Sequence, residues 1–197
     1  MKKVVKTLAL ASTGALVMVC AGAQANAEPK FYAGIGYSHA TLEAATALDA
    51  SVDFELPMTT FQVGVQISPN LKIEGRYGIN AGDYEHSASD SIAVYHETYE
   101  VASYWAALAK IGVPLNQSLS VYGMVGFNKL EVDYHGEAYI PSVAKTVRVS
   151  DTASDSGLTY GAGLEVNLSE SFALNGEYQV MFDNVSSFNI GLNYKFQ

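Results

Sequence analysis

Read by its periodicity, the chain is all-β: an eight-stranded antiparallel transmembrane β-barrel with up-and-down meander topology. Apolar residues recur at every second position in eight segments, short turns alternate with long polar stretches between them, and charge keeps to one strand face. Composition agrees. The 197 residues suffice for one ordinary domain, 49% are hydrophobic against 16% charged, and Gly (17), Tyr (13) and Phe (8) are plentiful. Mean hydropathy is only +0.10, too low for a bundle of membrane-crossing helices. A net charge of -9 argues against nucleic acid as a partner.

The N-terminus stands apart from the periodic region. Met1 to Lys6 carries three lysines, Leu8 to Ala23 is apolar or small, and Ala25-Asn26-Ala27 has the small-x-small form of a cleavage site. Residues 1–27 are therefore expected to be a cleaved signal peptide and residues 28–197 the barrel domain. An apolar run this short is a poor spanning helix. Cys20, the only cysteine, leaves with the leader, so neither a disulfide nor thiolate chemistry is expected. Losing three of the 11 cations leaves 8 against 20 anions, a mature charge of -12.

The first strand alternates Phe31, Ala33, Ile35 and Tyr37 with Tyr32, Gly34, Gly36 and Ser38. Phe61, Val63, Val65 and Ile67 form the apolar face of the second, and after Ser68-Pro69-Asn70 the third carries Leu71, Ile73, Gly75, Tyr77 and Ile79 opposite Lys72, Glu74, Arg76 and Gly78. In the fourth, Trp105, Ala107, Ala109 and Ile111 oppose Tyr104, Ala106, Leu108 and Lys110, a less clean division. The fifth runs from Leu119 to Phe127. The last three place Glu165 and Asn167, then Asn175 and Glu177, then Asn189, Asn193 and Lys195, opposite runs of Leu, Ile, Val, Tyr and Phe. Long polar loops are expected at 42–57, 80–97 and 130–156, with a shorter one at Asp183-Asn184; tight links fall at 68–70, 114–117 and 169–170.

A soluble sandwich has the same period, but it carries its charges on the outward face. Here the polar face mixes glycines with both signs of charge: Lys72, Arg76, Lys110 and Lys195 against Glu74, Glu100, Glu165 and Glu177. Such a face suits a narrow interior in which long side chains pair across space left by glycines, while the uncharged face suits lipid. Aromatics at strand ends, among them Phe31, Tyr37, Trp105, Phe127 and Phe172, suggest two interfacial girdles. Eight strands enclose a space that side chains fill, so an occluded interior is expected, with a narrow ion or small-solute channel as the alternative. His39, His86, His96 and His135 lack metal-ligand spacing and read as solvated loop residues; no catalytic, cofactor or metal site is expected.

The last strand, Asn189-Ile190-Gly191-Leu192-Asn193-Tyr194-Lys195-Phe196, resembles the C-terminal signal of outer-membrane barrels, through Asn189, Gly191, Tyr194 and Phe196; the pattern usually ends on the aromatic, whereas Gln197 follows here. With Phe31-Tyr32-Ala33-Gly34-Ile35-Gly36-Tyr37 it makes the mature chain similar to the small OmpA-like and OmpX-like barrels, or porin-family proteins, as a barrel alone with no peptidoglycan-binding domain. The resemblance implies a Gram-negative outer membrane, insertion by the barrel assembly machinery, and contact with lipid and lipopolysaccharide as a monomer. Some barrels of this size modify lipid A, a second alternative, but the adjacent pairs Ser38-His39 and His86-Ser87 do not make a catalytic geometry. Acids crowd the expected loops, including Asp53, Glu55, Glu97, Glu131, Asp133, Glu137, Asp151 and Asp155. They point to a solvated surface, and to adhesion or cation-bridged lipopolysaccharide as its sharper roles.

Overall fold

Alternation that buries one side chain and exposes the next produces strands that curl and close, leaving no sheet edge in the membrane. The computed structural model describes residues 29–45, 51–89, 94–182 and 185–196. Its strands are β1 (Lys30–Ala45), β2 (Ser51–Ser68), β3 (Leu71–Asn80), β4 (Tyr84–Ser89), β5 (Val94–Pro114), β6 (Leu119–Ile140), β7 (Lys145–Asn167), β8 (Phe172–Phe182) and β9 (Val185–Lys195). All pairing is antiparallel and follows chain order except that β3 skips β4, and β1 closes the ring on β9 from Tyr32↔Lys195 to Leu42↔Val185. The ring holds eight strands, because β3 pairs directly with β5, from Leu71↔Ile111 to Gly78↔Tyr104. The ninth, β4, pairs with the upper part of β5 beyond the ring. The expected leader and the Asp183-Asn184 turn lie outside the described residues.

The loops expected at 42–57, 80–97 and 130–156 are mostly strand instead. β5, β6 and β7 are 21, 22 and 23 residues long, whereas a tilted membrane strand needs about 9–11. The remainder of β5, β6 and β7, together with β4, stands beyond the apolar band as a sheet. Periodicity could not reveal it: residues 145–156 of β7 are exposed on both faces, so alternation has no apolar side to mark. Backbone pairing with β6 still runs from Ile140↔Lys145 to Leu119↔Val166.

Outside, the aromatic girdles are in place. Phe31, Phe172, Tyr194 and Phe196 surround the short-turn end and are exposed, with ring centroids 5.2 Å apart for both Phe172–Tyr194 and Tyr194–Phe196. Tyr37, Tyr77, Trp105, Phe127 and Phe188 form the other belt, where Trp105 and Phe127 lie 5.9 Å apart. Between the belts, an apolar groove of about 660 Å³ crosses the outer wall at Gly123, Ala162 and Gly176 and faces hydrocarbon, not the lumen.

Candidate functional site

The inward positions of β3, β5, β7, β8 and β9 bring seven of the eight expected interior charges into the lumen. At its middle, Arg76 Nε donates to Glu74 Oε1 at 2.6 Å and its terminal nitrogen donates to Glu177. Lys110 Nζ bridges the same two acids, 2.7 Å from Glu74 Oε2 and 2.7 Å from Glu177 Oε1. Tyr32 donates to Glu74 at 2.8 Å and Tyr122 to Glu177 at 2.5 Å. All four charged side chains are buried, and two of each sign cancel. That balance is the condition for leaving charges out of water.

Nearer the short turns, Glu165 divides its carboxylate between Lys72 at 2.6 Å and Lys195 at 2.9 Å, and Lys195 also donates to Asn167 at 2.5 Å. Glu100 does not join them. A bulge between Val101 and Ser103 shifts the alternation of β5, so that Val101 turns inward and Glu100 sits one third exposed with His135 3.6 Å away. The expected balance of four and four in the lumen is therefore four cations against three acids.

Toward the long hairpins the lumen changes character. Leu56, Met58, Val101, Tyr104, Leu108, Met124, Leu130, Met181 and Val185 are buried there as one apolar cluster. Sequence reasoning missed this layer. Leu56 falls in an expected loop, Val101 sits at a bulge, Met181 lies one residue past the periodic run that ends at Val180, and Leu108 shares its face with Lys110 and so reads as part of a polar wall. Asn128 lies among these residues fully buried, and neither polar atom of its side chain has a hydrogen-bond partner.

The C-terminal strand contributes to the same interior. Asn189 accepts from Thr60 at 3.2 Å and donates to Glu177 at 3.4 Å. Gly191 faces Asn175 and Gln62, each 2.7 Å from where a Cβ would stand, whereas Tyr194 and Phe196 point to lipid.

The histidines disperse over the projecting sheet and its base. His39 lies 3.6 Å from Glu55, and His96 Nδ1 lies 2.9 Å from Ser87 Oγ across β4 and β5. The latter is a hydroxyl–imidazole contact between residues nine apart in sequence, invisible as a motif. A nucleophile needs its base oriented by a third group. Glu137, opposite His96 on β6, is instead held by Arg148. The pair is exposed, and among the described residues no third group is set against the imidazole. Lower on the sheet, Lys129 first and then Ser103 hydrogen-bond Glu131 and hold its carboxyl below the usual range.

Solved structures with this architecture include Ail, the attachment invasion locus protein of Yersinia pestis, in complex with the heparin analogue sucrose octasulfate. It is 18% identical, covering 86% of this chain and 100% of that one, with a TM-score of 0.53. Neisserial surface protein A is 14% identical over 86% of this chain and 100% of its own, with a TM-score of 0.51. No curated protein matches. The family model for the outer membrane protein beta-barrel domain matches residues 11–196. With a closed ring of eight strands, a lipid-facing apolar wall and a charged lumen, the chain belongs to the outer membrane protein β-barrel domain family.

Proposed function

We propose that the chain is an integral outer-membrane barrel of a Gram-negative bacterium with a structural or surface-interaction role and a lumen closed to ions. The observation that carries the closed lumen is its double filling: the Glu74–Arg76–Lys110–Glu177 knot, and above it the apolar layer around Met58, Leu108 and Met181. An ion would have to separate buried pairs and then cross a dry segment that costs it its hydration. The surface role draws on the projecting sheet. Among the described residues, 145–157 of β7 pair with β6 alone and β4 pairs with β5 alone, so each margin of the sheet carries backbone without a strand partner there.

Ail is named for attachment and was solved with a polyanion. The described part of the projecting sheet here carries Glu85, Glu97, Glu100, Glu131, Asp133, Glu137, Asp151 and Asp155 against Lys129, Lys145 and Arg148, which favours cationic or cation-bridged partners instead. Lipopolysaccharide contact, insertion by the assembly machinery through Asn189, Gly191, Tyr194 and Phe196, export by a leader at 1–27 and a monomeric state belong to the same reading.

Planar-bilayer recording of the refolded protein tests the closed lumen. No stable conductance is expected, and a lasting open level would replace this reading with that of a narrow channel. Deleting residues 135–155 tests the surface role: heat-modifiable migration of the barrel should persist while attachment of expressing cells is lost. Unchanged attachment would count against it.

A further inference from the structure

The seven lumen charges do not cancel, and the surplus sits in one place. The inner four balance, so the excess positive charge belongs to the outer three, where one carboxylate, Glu165, serves two ammonium groups, Lys72 and Lys195. Both lysines are largely shielded, with side chains 19% and 22% exposed, so water neutralises the excess only in part. Each ammonium has three protons to donate. Lys195 directs two, to Glu165 and Asn167; Lys72 directs one to Glu165 and otherwise overlies the Tyr32 ring, 5.7 Å from its centroid.

These groups border a cavity of about 260 Å³ at the short-turn mouth, which Lys110 and Tyr122 also line at its inner side and Gln66, Asn167 and Ser120 complete. It is large enough for a tetrahedral anion with several waters. The chain as a whole is strongly acidic, at -9, so a positive pocket is a local inversion of sign and not part of a general basic field.

We infer that this vestibule binds a phosphate-class oxyanion, held by Lys72 and Lys195 opposite Glu165. A phosphate offers several acceptor oxygens at once, matching two ammonium groups and the flanking amides of Gln66 and Asn167. Glu165 limits affinity by occupying one donor of each lysine, and the inner charge knot ends the path, so the anion enters and leaves by the same mouth. The source is either inorganic phosphate or the headgroup of a phospholipid at the rim, where Lys30 and Phe196 border an adjoining cleft with Lys195.

The test is a titration of the refolded chain in phosphate-free maltoside micelles, following the side-chain ammonium resonances of Lys72 and Lys195 by NMR. Saturable shifts with sodium phosphate, absent with sodium chloride at equal ionic strength, are expected for the free anion. Saturation only with short-chain phosphatidylglycerol assigns the headgroup. Lys195→Gln should weaken binding about tenfold, the worth of one charge-assisted hydrogen bond, and Glu165→Gln should tighten it by about as much. Heat-modifiable migration verifies that each variant is folded, and Lys72→Gln substitutes for any that is not. The inference is overturned if neither phosphate nor phosphatidylglycerol gives a saturable shift, or if folded Lys195→Gln or Lys72→Gln binds as well as the parent chain.

Discussion

In the half of the lumen nearer the short turns, Glu74, Arg76, Lys110 and Glu177 are buried and matched by contact; in the half nearer the long hairpins, Met58, Leu108, Leu130 and Met181 are buried and carry no charge. Both halves are filled by buried side chains, but they fail differently. The apolar half is held by contacts with many neighbours, and losing one side chain leaves a cavity. The ionic half is held by balance, and losing one member leaves its partner charged in a site that cannot solvate it.

Arg76→Ala is therefore expected to be the most damaging single change. It strands two carboxylates on Lys110 alone and should lower stability by about 3–5 kcal/mol, read from the urea midpoint of the protein refolded in bilayers. The sharper arm is Arg76→Met with Glu74→Met. That pair removes one charge of each sign, leaves Lys110 with Glu177, and should cost far less than the single change despite losing more contacts. If the double variant is as unstable as Arg76→Ala, balance is not what holds this half.

Leu108→Ala tests the other half. Leu108 is 2% exposed, and truncating it should cost about 2–3 kcal/mol by the same measurement. The bilayer should remain non-conducting, because the ionic knot below is untouched. A stable conductance in Leu108→Ala would show that the apolar layer alone closes the lumen.

How much of the lumen is legible in the sequence differs between the halves for a physical reason. Lys72, Glu74 and Arg76 alternate without interruption on a ten-residue strand, so their shared face is visible at sight, and Glu165, Glu177 and Lys195 lie on equally regular strands. The apolar half lies where regularity stops. The bulge at Val101/Ser103 inserts a residue that flips the facing of the strand beyond it, which moves Glu100 out and turns Val101 in, whereas Met181 continues the inward alternation of β8 one residue past the apolar run that marks the strand in the sequence. The Ser87–His96 contact depends on the register of β4 against β5, which no local pattern encodes. The projecting strands stay hidden because they bury too little to leave a period.

The bulge can be removed to check that account. Deleting Ala102, which has no partner on β6, brings Val101 two positions from the inward-facing Tyr104, so that regular alternation by itself keeps Val101 inward and Glu100 outward. Limited proteolysis should cut residues 94–101 no faster than in the parent chain, with heat-modifiable migration kept. Faster cleavage would mean that the bulge serves the bend of the strand and not only its facing.

The smallest effects come from two glycines on opposite walls. At Gly34 an added Cβ would collide with Asn193 Oδ1 and stand 2.6 Å from the Leu192 carbonyl oxygen, so Gly34→Ala should cost about 1–3 kcal/mol. At Gly176, on the lipid face, nothing lies within 4 Å of the same atom. Gly176→Ala adds apolar surface to hydrocarbon and removes unfolded-state freedom, so it should stabilise by about 0.4–1 kcal/mol. Opposite signs from one substitution separate a wall packed against side chains from a wall packed against lipid. Equal losses at both positions would mean that the groove at Gly176 is filled by something less yielding than acyl chains.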